Sequence, residues 1–335
     1  MKRENTMSRT IQFSAAGGPE VLEFIEAPAA EPGPHEVRIR VKAIGINRAE
    51  SMWRTDIYIE PVQFPARLGY EAAGVVEAIG PDVSGIAVGD KVNIMPSFSM
   101  NQYGTYGEVI VMPDYAVVPH PESLTYAEAA SVWMMFVTAY GALIGDANVG
   151  EGDVVLIPAA SSSVGLAAIQ VARLAGATAV ALTRTTDKRQ QLLDAGASHV
   201  IVTDDTDLVA EVMRLTDGKG ADIVFDPVGG ANFAKLVATL AFQGTAYIYG
   251  ALSEEATALP VLDMIAKMVT IKGHNIWLTS GDAERRKAAV EFVLKGLESG
   301  ALKPIIDRTF AFDDMQEVHR YLERNGQFGK VVVTL

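Results

Sequence analysis

The chain contains no cysteine. That absence excludes disulfides, Cys-ligated zinc, iron–sulfur clusters and thiol catalysis together. Basic residues are also scarce: 28 Lys and Arg stand against 41 Asp and Glu, a formal net charge of −13. A broad electrostatic footprint for nucleic acid is not expected from that balance, although a local basic pocket is compatible with it. Long apolar runs are missing too. Val154 to Ile157 and Ala177 to Leu182 are among the most apolar stretches, and both are far too short to span a bilayer. No apolar core follows the polar, basic start from Met1 to Thr10, so the expectation is a cytoplasmic protein without an export signal. The first six residues read as a frayed tail, with Met7 an alternative start.

What is present is globular: 335 residues, 49% hydrophobic and 21% charged, enough for two domains. The texture changes along the chain. Up to about Pro121, short apolar runs alternate with Gly and Pro. Val37-Arg38-Ile39-Arg40-Val41 alternates strictly, as a half-buried strand does. Ala72 to Ile79, Lys91 to Met95 and Glu108 to Met112 read as further strands of a mainly β domain. From about Leu124, helix and strand patterns take turns. Strands are expected at 154–157, 177–182, 200–202, 223–225 and 245–249, with helices between them. Such alternation predicts a parallel sheet covered on both faces, the doubly wound α/β architecture. A long helix is expected over Asp282 to Ser299 and another near Phe312 to Glu323. The last run, Lys330 to Leu335, is β-rich and lacks a local partner, which suggests a return to the first domain.

The chemistry concentrates where Val154 to Ile157 runs through Pro158-Ala159-Ala160-Ser161-Ser162 into a helix beginning Ser163-Val164-Gly165. Small residues at Ala160, Ser162 and Ser163 let a pyrophosphate approach the backbone, and the helix start, with Val164 in its first turn, offers unpaired N–H groups. Gly165 allows close helix–strand packing. The turn has Ala and Ser where a dinucleotide fingerprint usually has Gly, so a plain strand-to-helix joint is the competing reading. About twenty residues on, an NAD site would place an acid on the ribose. Here the strand ends in Thr183 and Arg184, with Lys188 close behind. Arg184 and Lys188 suit a 2′-phosphate, and Thr183 can donate a hydrogen bond. An exposed basic turn is the alternative. Two later turns, Phe225-Asp226-Pro227-Val228-Gly229-Gly230 and Tyr249-Gly250, follow strands and would line the same cleft, through Val228, Tyr249 and Gly250.

Four further segments carry a resemblance: Val41 to Glu50, Leu68 to Val76, Val88 to Val92 and Gly104 to Glu108. With the altered fingerprint they resemble the medium-chain dehydrogenase/reductase superfamily, in its zinc-independent quinone oxidoreductase-like branch, over nearly the full length. The resemblance implies a GroES-like catalytic domain (1–128 and 271–335) and a Rossmann-type cofactor domain (129–270). It puts Asn47 near nicotinamide and substrate, Tyr70 on the substrate wall or as proton donor, Thr138 near the nicotinamide amide, and Lys330 against the cofactor phosphates. Zinc-dependent relatives have Cys at Asn47 and His at Tyr70, and none of the five histidines falls at these positions, so no metal is expected. Glu71 reads better as a buried acid paired with a base or backbone.

The expected activity is NADPH-dependent hydride transfer to a quinone or an activated alkene such as an enone. Residues Met52 to Tyr58 and Trp133 to Phe136 are candidates for an apolar substrate wall. Two readings compete: an alcohol dehydrogenase with a cysteine-free metal site, and a dinucleotide-binding sensor or structural protein. A homodimer is expected through Met268 to Lys272 as a free sheet edge.

Overall fold

The protein is described here by a computed structural model covering residues 7–335, so the tail expected at residues 1–6 lies outside the described residues. The chain forms two units, one of residues up to Met134 with Pro304–Leu335, the other of Met135–Lys303. The first unit opens on β1 (Met7–Phe13), antiparallel to β2 (Glu23–Pro28). Strand β3 (Glu36–Ile46) contains the alternating run, with Val37, Ile39 and Val41 in the core. Helix α1 (Arg48–Arg54) follows at once, then β4 (Ala66–Arg67), which joins β1. Strands β5 (Glu71–Ile79), β6 (Lys91–Ile94), β7 (Val109–Pro113) and β8 (Val117–Pro119) complete this stretch. One edge of β3 pairs with β5, and the first half of its other edge pairs with β7.

Beyond Val41 the alternation stops, because both faces of β3 are covered. Helix α2 (Tyr126–Ala129) packs on β3 and β5 over an alanine-rich seam of Ala43, Ala73, Ala129 and Ala130. At Gly45 the approach is closest: a Cβ there would stand 1.9 Å from the Ala130 carbonyl oxygen. Only glycine fits.

Helix α3 (Trp133–Leu143) straddles the boundary between the units. In the second unit, β9 (Val154–Ile157), α4 (Ser163–Leu174), β10 (Thr178–Thr183), α5 (Arg189–Asp194), β11 (His199–Val202) and α6 (Leu208–Leu215) alternate. Then come β12 (Ala221–Asp226), α7 (Phe233–Ala238), β13 (Leu240–Ile248), α8 (Val261–Lys267) and β14 (Thr270–Gly273). The sheet is parallel throughout, in the order β11-β10-β9-β12-β13-β14. Counted along the chain this is 3-2-1-4-5-6, and the direction of winding reverses between β9 and β12. The strands read as continuous apolar runs because Leu156, Val180, Ile201 and Val224 are buried among helices. Strand β14 is the edge, as expected, although Met268 and Val269 precede it.

Helices α9 (Trp277–Ser280) and α10 (Ala283–Glu298) also belong to the second unit. Residues 271–303 therefore fall there rather than with the catalytic domain to which the sequence reading gave them. The reason is local bonding: β14 pairs with β13, His274 bonds Thr138, and the Gln170 amide holds the Lys303 backbone at 2.7 and 3.1 Å.

The chain then re-enters the first unit as β15 (Ile306–Ala311), α11 (Met315–Glu323) and β16 (Lys330–Thr334). Strand β16 runs parallel to β15 and antiparallel to β3, taking the second half of the β3 edge. Among the described residues, no helix is long and apolar enough to cross a membrane.

Candidate active site

In the first unit, the register of β16 on β3 pairs Val331 with Ile46, which brings Lys330 opposite Asn47. Asn47 is the N-cap of α1, and Glu50 follows at the spacing of a capping box. The Glu50 carboxylate accepts from the Asn47 backbone N–H, from Asn47 Nδ2 at 3.1 Å and from the Tyr70 N–H at 3.2 Å. Asn47 Nδ2 also donates to the Gly45 carbonyl at 3.3 Å, and Asn47 Oδ1 accepts from Lys330 Nζ at 2.5 Å. Both ends of the Asn47 amide are thus bound within the protein.

Lys330 does not extend toward a phosphate. Its ammonium pairs with Glu71, and both side chains are 0% exposed. This corrects the sequence reading: a lysine at the start of an interior strand has no route to solvent, and a buried carboxylate satisfies its charge. The other Glu71 oxygen accepts from the N–H groups of Trp133 and Met134, at 3.1 and 3.0 Å, where α3 begins. Glu71 is therefore paired with both base and backbone. Burial pushes the Glu50 carboxyl up to about 7, against the opposing pull of Lys330 and Asn47.

Tyr70 is buried, its ring 6.2 Å from that of Tyr58 and 5.8 Å from that of Phe98. Its hydroxyl is enclosed and lies beside Tyr58 outside hydrogen-bond geometry, so it has no partner there. Burial, and then the neighbouring Tyr58, raise its pKa far above the ordinary phenol value, which keeps it protonated. Among the described residues no three His, Asp or Glu side chains gather as metal ligands.

In the second unit the expected residues other than Thr138, which is on α3, lie at the ends of β9, β10, β12 and β13 or in the turns and the helix start that follow them. Ala159 takes a left-handed conformation (φ +47°) in the turn from β9 to α4. Ser162 caps α4, its hydroxyl oxygen accepting from the Gly165 N–H at 3.1 Å. A Cβ on Gly165 would come within 2.8 Å of the Ala159 and Ala160 backbone, so the helix sits directly on the turn. Ala160 is buried under this joint, and Ser163 and Val164 form the first turn of α4. Lys188 reaches back over the turn, its Nζ donating to Ser161 Oγ at 3.1 Å. Arg184 is exposed and, among the described residues, has no ion pair. The Thr183 hydroxyl donates to the Thr185 carbonyl at 3.2 Å.

The turns after β12 and β13 lie together. Asp226 accepts from the Val228 and Gly229 N–H groups at 2.9 Å each, and burial raises its pKa. Leu252 N–H and Ser253 N–H bond the Pro227 and Val228 carbonyls, which lays the Tyr249-Gly250 turn beside them. Tyr249 stacks on Phe225 at 4.0 Å, its buried hydroxyl facing Ser162 outside hydrogen-bond geometry. Thr138 is buried on α3, and its carbonyl accepts from His274 Nε2 at 3.0 Å. Burial lowers the His274 pKa, and the carbonyl acceptor requires a proton on Nε2.

A strand order of 3-2-1-4-5-6 with a capped helix start at its reversal is the doubly wound architecture of dinucleotide-binding domains. Comparison narrows the class. Residues 33–122 match the alcohol dehydrogenase GroES-like domain and residues 163–295 the zinc-binding dehydrogenase family. A quinone oxidoreductase of Pseudomonas aeruginosa is 30% identical over 98% of this chain and 99% of its own. Among solved structures, an NAD-dependent alcohol dehydrogenase is similar with a TM-score of 0.90 and 34% identity, over 98% of this chain and 99% of that one. Quinone oxidoreductase of Escherichia coli, solved with NADPH, gives 0.89 and 27%, over 98% and 100%. The chain belongs to the medium-chain dehydrogenase/reductase superfamily, in its quinone oxidoreductase branch.

Sequence reasoning left Glu50 out of the site. The spacing Asn47-x-x-Glu50 is itself a capping-box signature and could have identified it.

Proposed function

We propose that the protein is an NADPH-dependent reductase of quinones or enones that works without zinc. The observation that carries the cofactor assignment is Lys188 lying on Ser161, which puts a cation over the phosphate turn, while exposed Arg184 stands at a strand tip without an acid. The similar structure solved with NADPH supports the same reading, whereas the similar NAD-dependent alcohol dehydrogenase keeps NADH as the competitor to test. When bound, the nicotinamide supplies a hydride. The α4 amides and Ser162 would hold the pyrophosphate, and Arg184 and Lys188 the 2′-phosphate. Ala160, Ser163, Val164, Gly165, Val228, Tyr249 and Gly250 would shape the surrounding backbone, with Thr138 toward the nicotinamide amide. The Tyr70 phenol, enclosed and without a partner among the described residues, would donate to a substrate carbonyl only where substrate binding opens its enclosure.

The donor set disfavours a metal. Both oxygens of Glu71 are engaged by Lys330, Trp133 and Met134, so a cation at Glu71 would have to displace the ammonium. Metal analysis of purified protein tests this directly. NADPH oxidation across quinones and enones, set against NADH, tests the activity; cofactor binding without turnover would favour a sensor.

The same reading includes a homodimer. Among the described residues β14 has no strand on its outer edge, and α8 with its C-cap exposes Val261, Leu262, Ile265 and Met268, with Leu262 83% exposed. A second copy pairing β14 edge to edge about a twofold axis would satisfy the strand and cover this apolar face in one step.

A further inference from the structure

The buried cluster of the first unit has more order than packing alone requires. Lys330, Glu71 and Glu50 bring one cation and two acids into a space with 1% exposure or less, bridged by Asn47. The contacts tie together β16, β5, α1 and α3. Lys330 starts β16, Glu71 starts β5, Asn47 caps α1, Glu50 also takes the Tyr70 N–H, and Glu71 holds the first amides of α3. The ammonium touches two of these groups and is the only cation among them. Without it, two acids would share an enclosed site, and one would be driven to take up a proton.

We infer that Lys330 is a positioning residue of the reductase site: its enclosed ammonium holds Asn47 and Glu71, and through them the starts of α1 and α3 and the Tyr70 segment. The inference rests on the reductase reading for its kinetic test and on the structure alone for its second test. Glu50 gives the network a pH signature. The groups facing it are Lys330 from β16, Glu71 from β5, Tyr70 just before β5, Tyr58 after α1 and Tyr106 before β7. Among these charged and titratable groups only Lys330 favours the ionised carboxylate, beside the hydrogen bonds from Asn47. Removing the ammonium moves Glu50 protonation to higher pH.

The experiment compares the full chain with Lys330→Met. The variant is expected to lose about tenfold or more in kcat, as misplacement without loss of a contact does, with KM for NADPH within about twofold. The acid limb of its pH profile is expected at higher pH than in the unaltered chain. Hydrogen exchange at the Tyr70, Trp133 and Met134 amides should quicken while distant amides keep their protection. Should the single change prevent folding, Lys330→Met with Glu71→Gln removes both charges. It should fold with low kcat and faster exchange at Trp133 and Met134, because an amide is a weaker acceptor than a carboxylate. Unaltered kcat, or unaltered exchange at these amides, in a folded variant would overturn the assignment. Absence of turnover in the unaltered chain would count against the reductase reading alone, and exchange would then decide the role of Lys330.

Discussion

The Tyr106 hydroxyl and His319 Nε2 lie 3.2 Å apart inside the first unit, and the other ring nitrogen of His319 is enclosed without a partner among the described residues. Burial, then the charges of Arg54 and Arg48, push the histidine down to about 3 from an ordinary value of 6.5. The folded chain therefore keeps His319 neutral where the unfolded chain takes up a proton. Its contribution to stability is full above pH 6.5 and is lost as the pH falls toward 3. His319→Gln is expected to melt less steeply with acidification over that window than the unaltered chain. Equal slopes in the two melting series would contradict the assignment.

Glu50 acts in the opposite direction. Its folded value of about 7 lies above the ordinary 4.5, so the folded chain binds the extra proton between them and stability falls as pH rises through this window. Glu50→Gln should remove that decline. Thermal melts of the variant between those limits check it, and an unchanged profile would place the Glu50 carboxyl at its ordinary value.

Arg184→Ala should weaken NADPH selectively. A charge-assisted contact is worth about 1.5–3 kcal/mol, or roughly ten- to a hundredfold in affinity, and NADH has no phosphate to lose it. Titration of both dinucleotides measures the difference. Equal weakening would remove Arg184 from the ribose site.

Asn47→Asp separates two accounts of Asn47. In the structure its Nδ2 donates inward to Glu50 and Gly45, so an aspartate would set a third acid against Glu50 and Glu71. A stability loss on the order of 3 kcal/mol in denaturant, together with lower turnover, is expected. Intact stability with lost turnover would instead return the amide to the substrate.

The parallel sheet was legible because its strands, such as Val154–Ile157, are unbroken apolar runs bounded by turn residues. Strands β1, β2 and β15 were not. Ser8, Arg9 and Thr10 interrupt β1, Glu23 and Glu26 interrupt β2, and the edge strand β15 is half exposed, so none shows a clean period of two. In the site, small residues at Ala160 to Gly165 announced the helix start. Lys330 was misread because its partner Asn47 is 283 residues away, and only the pairing of β16 with β3 brings them together.

The most direct measurement is NADPH oxidation by protein dialysed against a chelator, followed with a panel of quinones and enones and repeated with NADH. Turnover of at least one of these acceptors, faster with NADPH and undiminished by the chelator, is the expected result. Loss of activity restored by added zinc, or preference for NADH with an alcohol or aldehyde as the only substrate, would contradict the zinc-free NADPH reductase.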